Sequence, residues 1–151
     1  MSTKYTPTFD DYTKGHYIKK ITNKHSKKQW NITEQALRSI AENIDTFIER
    51  TDQAETIHEN EGDRICKLYF KIAGTKDSYK KSCCRSIVYV DSDKKEVVFL
   101  LVYHKSFLTG RGSETDKWQR KIKENFPQFN FVENSGQQVK GDGKTRLATN
   151  Y

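Results

Sequence analysis

The stretch RSIVYVDSDKKEVVFLLVYHK, residues 85–105, decides the fold that we predict for this chain. Two strongly apolar runs, SIVYV and VVFLLVY, flank the polar segment DSDKKE, which is the pattern of a β-hairpin. VVFLLVY shows no alternation of apolar and polar residues, which is typical of a central strand buried on both faces. Arg85 opens the hairpin and His104 and Lys105 close it, so cationic and titratable groups stand at its rims.

Two more strands are predicted outside this hairpin. In KLYFKIAG, residues 67–74, apolar side chains alternate with lysine and tyrosine, as they do in a half-buried strand. TKYTPTF, residues 3–9, is a short strand that Pro7 restricts to the edge of a sheet. The segment between them, TDQAETIHENEGD at 51–63, carries five acids and no Lys or Arg, and we expect it to be a loop.

Three helices are predicted. A short one falls between Phe9 and His25, and a last one, SETDKWQRKIKENFP, is capped by Ser113 and ended by Pro127. The middle helix has Asn31 as its N-cap and Glu34 as the capping-box partner. Its apolar stripe is expected to be core and consists of Ile32, Ala36, Leu37, Ile40, Ile44, Phe47 and Ile48.

The order of these elements predicts an α+β fold. We expect an antiparallel sheet of about four strands, with N-terminal helices packed on one face and a C-terminal helix. Residues 1–132 are assigned to a single domain. Residues 133–151 carry too little apolar surface to hold themselves folded and are expected to form a disordered C-terminal tail.

Composition disfavours several classes of protein. No apolar run approaches the roughly 20 residues that a bilayer span needs, and the N-terminus lacks the apolar core of a signal peptide. The three cysteines are odd in number and two are adjacent, which fits neither a disulfide framework nor a zinc site. We therefore expect a soluble, cytoplasmic protein with no metal site and no cofactor.

The net charge of +7 is unevenly spread along the chain. Residues 1–30 hold seven Lys against two Asp, and residues 64–85 hold seven basic residues against Asp77 alone. Basic segments on both sides of an acidic one suggest a surface that binds a polyanion. A merely solvated, solubilising surface explains the same pattern about equally well.

The rims of the strands carry the candidate chemistry. Lys67, Lys71, Arg85 and Lys105 would present cations on rigid strands, as phosphate recognition requires, and Arg can hold two phosphate oxygens at once. His104 is the nearby group whose ordinary pKa suits proton transfer near neutrality. Strand tyrosines could stack on bases. Each feature also has a structural explanation: edge protection by lysines, a half-buried histidine, and aromatic core.

The segment from Arg64 to Leu108 resembles the sheet of the RelE/ParE-like toxins of bacterial toxin–antitoxin modules. The matching pieces are KLYFK, KKSCCRSIVYV, DSDKKE and VVFLLVYHK. The order of the upstream elements resembles the family as well, so the likeness extends over about residues 3–125. Two departures are the Cys83 and Cys84 pair, where the family has small residues, and the lack of a Tyr shortly after Lys105, where SFLTGRG offers Arg111.

The resemblance implies an activity, partners and a site. RelE-like members cut mRNA on the ribosome without a metal, by attack of the ribose 2′-OH on the next phosphate, and a cognate acidic antitoxin protein neutralises them. Carried over by position, the catalytic residues would be Lys71, Arg85, His104 and Lys105. The residues expected to bind RNA are Lys67, Tyr69, Lys80, Lys81 and Arg111.

Three functions remain open on the sequence. The first is a metal-independent mRNA endoribonuclease of the RelE kind, which His104 beside Lys105 favours. The second is a ParE-like inhibitor of gyrase. The third is a basic RNA- or DNA-binding module without chemistry, and the missing Tyr favours these last two.

Overall fold

A computed structural model describes residues 4–129. The chain falls into two compact units divided between Leu108 and Thr109. The predicted domain, residues 1–132, extends across this division. The predicted tail, residues 133–151, lies outside the described residues.

The first unit is built on a five-stranded sheet. Its strands are β1 (Thr6–Phe9), β2 (Ala54–Asn60), β3 (Asp63–Phe70), β4 (Cys84–Asp91) and β5 (Glu96–His104). They are arranged in the order β1-β5-β4-β3-β2, and β1 runs parallel to β5 whereas the other pairs are antiparallel. The α+β class is thus confirmed, and the sheet is larger than predicted and mixed.

The acidic segment is a strand rather than the loop that we expected. It contains the whole of β2, which pairs with β3 at the edge of the sheet. A register shift between Thr56 and His58 interrupts the two-residue period there, and one face of the strand is largely exposed. Because a half-exposed edge strand with a bulge shows neither an apolar run nor a clean alternation, its pattern is that of a loop.

The hairpin that decided the prediction is confirmed. β4 and β5 pair from Cys84 and His104 at one end to Asp91 and Glu96 at the turn. β5 lies between β1 and β4, and its residues 97 and 99–103 are buried. The strand is therefore central, as its unbroken apolar run indicated.

Several helices precede β2. They are α1 (Asp11–Thr13), a π-helical turn (Lys14–Ile18), α2 (Lys19–Thr22), α3 (Lys27–Glu42) and α4 (Ile44–Arg50). α3 begins one turn earlier than predicted, because Ser26 and Gln29 form the capping box in place of Asn31 and Glu34. The earlier start places Trp30 in the core and leaves Ile32 50% exposed.

The first helical segment is joined to the centre of the sheet by one buried hydrogen bond. Between the pairs Ile87–Leu101 and Val88–Phe99, Leu100 is an extra residue that forms a β-bulge in β5. The Thr13 hydroxyl donates to the Leu100 carbonyl at 2.6 Å, and both residues are fully buried. Thr13 thus satisfies a carbonyl at the bulge, where the strand ladder is disrupted.

The N-terminal strand is held by an aromatic pair. Phe9 stacks on Phe99 of β5 with ring centroids 4.2 Å apart. The Arg38 guanidinium of α3 lies 4.9 Å from the Phe9 ring and donates to the Pro7 carbonyl at 3.3 Å. This edge strand is therefore fixed by both its neighbouring strand β5 and helix α3.

The second unit contains α5 (Glu114–Asn125) and a short 3₁₀ turn (Pro127–Phe129). Ser113 caps α5 as predicted, and Asp116 is the return partner of its capping box. The helix ends just before Pro127, also as predicted. No helix within residues 4–129 is long and apolar enough to cross a membrane.

Replacing Thr13 by Val tests the bulge contact. Val keeps the shape but removes the donor, so the buried Leu100 carbonyl loses this hydrogen bond at a cost of about 1–3 kcal/mol. We expect urea denaturation of Thr13→Val to give a free energy of unfolding lower by that amount. Thr13→Ser, which keeps the hydroxyl, is the control and should lose less. Equal losses in the two variants would contradict a role for the hydrogen bond.

Candidate functional site

A pocket of about 330 Å³ opens at the end of the sheet where β4 begins and β5 ends. We call it the strand-end pocket. Its walls come from the turn after α2, the β3–β4 connection, and the segment from β5 into a 3₁₀ turn (Lys105–Phe107). The lining residues are Ile21, Lys24, His25, Ile72, Thr75, Asp77, Ser82, Cys84, His104, Ser106 and Phe107.

Lys24 and His25 reach the pocket from a tight turn between two helices. The backbone N–H groups of both donate to the Ile21 carbonyl, at 3.0 and 3.1 Å, and Ile21 is buried. The next residue, Ser26, caps α3. Because the end of one helix and the start of the next both fix this turn, the two side chains are presented from a well-defined backbone.

His104 is the last residue of β5, and its ring is oriented by Ser106. The Ser106 backbone N–H donates to Nδ1 of His104 at 3.1 Å, and the Ser106 hydroxyl oxygen lies 2.9 Å from the same nitrogen. Since Nδ1 accepts a hydrogen bond, the neutral ring carries its proton on Nε2. His104 therefore offers a hydrogen-bond donor at Nε2.

The environment of His104 favours its neutral form. Burial lowers the pKa of His104, and the positive charges of Lys24, Arg85 and Lys105 lower it further. The N–H of Ser106 acts in the same direction, because it stabilises a ring with an unprotonated Nδ1. At neutral pH the imidazole is thus an uncharged donor.

Phe107 forms an aromatic wall between the two sides of the pocket. Its ring centroid lies 5.8 Å from that of His104, and the Lys24 ammonium lies 4.8 Å from the Phe107 ring. A cation over an aromatic face is held by the ring quadrupole. The pocket therefore combines an apolar wall with a positioned positive charge.

The β3–β4 connection is fastened to α3 and to the sheet. Ala73 donates its N–H to the Thr33 hydroxyl at 2.9 Å and accepts from the Gln29 amide at 3.0 Å. The Ser82 hydroxyl donates to the Phe70 carbonyl and accepts from the Cys84 N–H at 3.1 Å. This connection lines the pocket with hydroxyls and with one carboxylate, Asp77.

Cys84 lines the pocket but is poorly suited to act as a nucleophile. Burial raises the pKa of its thiol, and the thiolate is the reactive form. Its neighbour Cys83 adopts a left-handed backbone conformation, with φ of 63°. Both are free thiols.

The strand register separates the predicted catalytic residues. Arg85 pairs with Tyr69 and Tyr103, whereas His104 pairs with Cys84. Adjacent residues of a strand point to opposite faces, so Arg85 and His104 belong to different faces of the sheet. Within residues 4–129, His104 alone of the four predicted catalytic residues lines the strand-end pocket.

Arg85 is 5% exposed and is bound by backbone carbonyls. Its guanidinium donates to the carbonyls of Cys84 at 2.9 Å and Lys80 at 3.1 Å, and it lies 4.5 Å from the Tyr69 ring. These contacts hold the end of the β3–β4 connection. Contact of Arg85 with a phosphate stays a prediction.

The other two predicted catalytic residues are exposed lysines. The Lys71 ammonium donates to the Thr75 carbonyl at 3.3 Å. Lys105 follows His104, and its backbone N–H donates to the Cys83 carbonyl at 2.9 Å. Thr75 lines the pocket, and the charge of Lys105 lowers the pKa of His104, so both lysines place positive charge near the pocket.

Three predicted nucleic-acid contacts form a cation–tyrosine cluster on the Arg85 face. Lys80 lies 3.9 Å and Lys67 5.4 Å from the Tyr69 ring, which Arg85 also contacts. The Tyr69 hydroxyl donates to Glu55 of β2. Tyr69 itself is buried, so the cluster presents lysines rather than an open aromatic face.

The remaining two predicted contacts are exposed. Lys81 lies in the β3–β4 connection, where its backbone N–H donates to the Ser78 hydroxyl at 3.3 Å. Arg111 belongs to the second unit, and its carbonyl accepts from the Arg120 guanidinium. Their binding of RNA stays a prediction.

Sequence reasoning missed Lys24, His25 and Phe107 as site residues. Lys24 and His25 are about 80 positions from His104, and no spacing rule links a helix-connecting turn to the end of a distant strand. One usable signal is the segment HSKKQ, since its Ser-x-x-Gln capping box marks a helix start and therefore a fixed turn just before it.

No group of three or more His, Cys, Asp or Glu side chains is placed to hold a metal ion within residues 4–129. Comparisons with protein-family models, curated proteins and solved structures give no match for the chain. The likeness to RelE/ParE-like toxins therefore depends on the sequence motifs alone.

The electrostatics of the pocket can be tested by titrating His104 with NMR. We expect a midpoint below the ordinary histidine value of about 6.5 and ¹⁵N shifts of an Nε2–H tautomer. Lys24→Gln removes a nearby positive charge and should raise the midpoint. Lys94→Gln, at the opposite end of the β4–β5 hairpin, is the matched control and should leave it unchanged. If the His104 midpoint is the same in Lys24→Gln as in the wild type, this account is contradicted.

Proposed function

We propose that the chain is a RelE-like toxin that cleaves translated mRNA without a metal ion, and that the strand-end pocket is its active site. The observation that carries the proposal is the presence of His104, Lys24 and Phe107 in one pocket. Together they supply a neutral donor, a cation and an aromatic wall. These are the groups that a phosphodiester and its adjoining base require.

The reaction would be an internal transfer within the RNA. The ribose 2′-OH attacks the neighbouring phosphorus, and negative charge grows on the non-bridging phosphate oxygens. The Nε2–H of His104 and the Lys24 ammonium are suited to stabilise that charge, since positioned donors in a partly desolvated site act strongly on a developing oxyanion. Lys71 and Lys105 add positive charge beside the pocket for the flanking phosphates.

The pocket fits a nucleotide better than a long peptide or a lipid. Its volume of about 330 Å³ is at the lower end of the range for small-molecule sites, roughly 300–1,000 Å³. The partners under this proposal are mRNA, the ribosome and an acidic antitoxin protein, and the net charge of +7 favours all three. The site of action would be the cytoplasm.

A non-catalytic nucleic-acid-binding module is the second candidate. It is favoured by the contacts of Arg85, whose guanidinium is committed to backbone carbonyls rather than open to a substrate. In that case the cation–tyrosine cluster and the exposed lysines would bind the phosphate backbone, and the pocket would take one base without reaction.

Expression in a bacterial host separates the two candidates. The wild-type chain should arrest growth and shorten polysome-bound mRNA. His104→Ala should lower the cleavage rate by about 10²–10³-fold, the usual loss for one oxyanion donor, while Lys94→Gln should behave as wild type. Because the proposed chemistry uses only side chains, cleavage should persist in EDTA. Tight RNA binding with no cleavage by the wild type would instead support the binding module.

RNA affinity should depend steeply on salt. Each phosphate contact contributes a log–log slope of about 0.7 for a single strand. We expect Lys71→Gln and Lys105→Gln each to lower the slope by about that amount in fluorescence-anisotropy titrations. Lys94→Gln is again the control. If neither substitution changes the slope, Lys71 and Lys105 do not contact the RNA phosphates.

A further inference from the structure

The strand-end pocket contains a second histidine, His25, to which the proposed reaction has not yet given a role. We propose that His25 is the general base, which takes the proton from the attacking ribose 2′-OH. This inference rests on the proposed function, because it assigns a further residue to the same reaction. It makes His25 a catalytic residue on an element, the turn between α2 and α3, that the predicted site did not include.

The reaction needs a base. As the O2′–P bond forms, the 2′-OH loses its proton to a His25 ring nitrogen, and as the P–O5′ bond breaks, the 5′ oxygen takes a proton from water. The hydroxide left behind is neutralised by the proton that His25 holds, so the enzyme returns to its starting state. The products are a 2′,3′-cyclic phosphate and a 5′-OH end.

His104 is less suited to this role than His25. Nδ1 of His104 accepts from the Ser106 N–H at 3.1 Å, so the nitrogen left for the substrate carries a proton and cannot accept another. The His25 side chain makes no hydrogen bond or ion pair within residues 4–129. One of its ring nitrogens is therefore available as an acceptor when the ring is neutral. The two histidines thus have complementary roles: His25 accepts a proton and His104 donates a hydrogen bond.

The position of His25 suits a pre-organised base. The backbone N–H of His25 donates to the Ile21 carbonyl at 3.1 Å, and the residue is half-buried. The charged or titratable groups that share the pocket with it are Lys24 from its own turn, the thiol of Cys84 from β4, His104 from β5, and Asp77 from the β3–β4 connection. Lys24 and Asp77 carry opposite charges, and the Lys24 ammonium stands where it can hold the phosphate while its neighbour removes the proton.

The test uses the purified full chain and ribosomes that carry a short mRNA, with cleavage followed over a range of pH. His25→Ala should lower kcat by about 10²–10⁴-fold, the usual contribution of a general base, and should abolish the acidic limb of the pH profile. Added imidazole should restore part of the rate, because a free base can enter the space that the side chain leaves. His16→Ala is the matched control, since His16 precedes α2 and does not line the pocket; it should retain the wild-type rate and profile.

The outcomes are distinguishable. Loss of rate with rescue by imidazole supports the assignment. A His25→Ala variant that cleaves at nearly the wild-type rate overturns it and leaves the proposed function intact. A slow variant that keeps the acidic limb and is not rescued also overturns it, because His25 would then be structural. A wild-type chain that leaves ribosome-bound mRNA uncut, whether or not it binds RNA, overturns the proposed function and this assignment together.

Discussion

The first unit depends on a hydrogen bond at the centre of its sheet, from the Thr13 hydroxyl to the Leu100 carbonyl. The bulge at Leu100 disrupts the ladder between β4 and β5, and a carbonyl buried there without a donor would be costly. Thr13 removes that cost and at the same time fixes the first helical segment over the strand. This contact, together with the burial of Tyr17 and Ile21, positions the segment that leads to the turn with Lys24 and His25.

The same segment explains why the pocket lies where it does. From Thr13 the chain continues through a π-helical turn (Lys14–Ile18) and α2 to Ile21, which is buried and lines the pocket. β5 runs from the bulge to His104 at its end. The first helical segment and β5, which are in contact at Leu100, therefore both contribute to the strand-end pocket. The end of the hairpin thus forms the site together with the N-terminal helical segment and the β3–β4 connection.

The sequence predicted the elements whose signals are local. The β4–β5 hairpin, the central position of β5 and the Ser113 cap could all be read from short patterns. The β2 strand could not, because its bulge and its exposed face erase the two-residue period. The parallel pairing of β1 with β5 is set by the path of the chain rather than by either strand.

For the site, His104 was found because it ends an apolar strand, whereas His25 was missed because its partner is distant in sequence. Arg85 looked like a free rim cation, and only the structure shows the carbonyls that surround it.

The parallel pairing of β1 with β5 has a consequence for how the chain matures on the ribosome. Thr6 is synthesised some ninety residues before its partner Glu96. Contacts so distant in sequence form late and slow folding. Until β5 has left the exit tunnel, the N-terminal strand lacks its neighbour and Thr13 lacks its acceptor. His25 and His104 can share a pocket only after that, so a nascent chain would remain without a formed site until β5 has emerged.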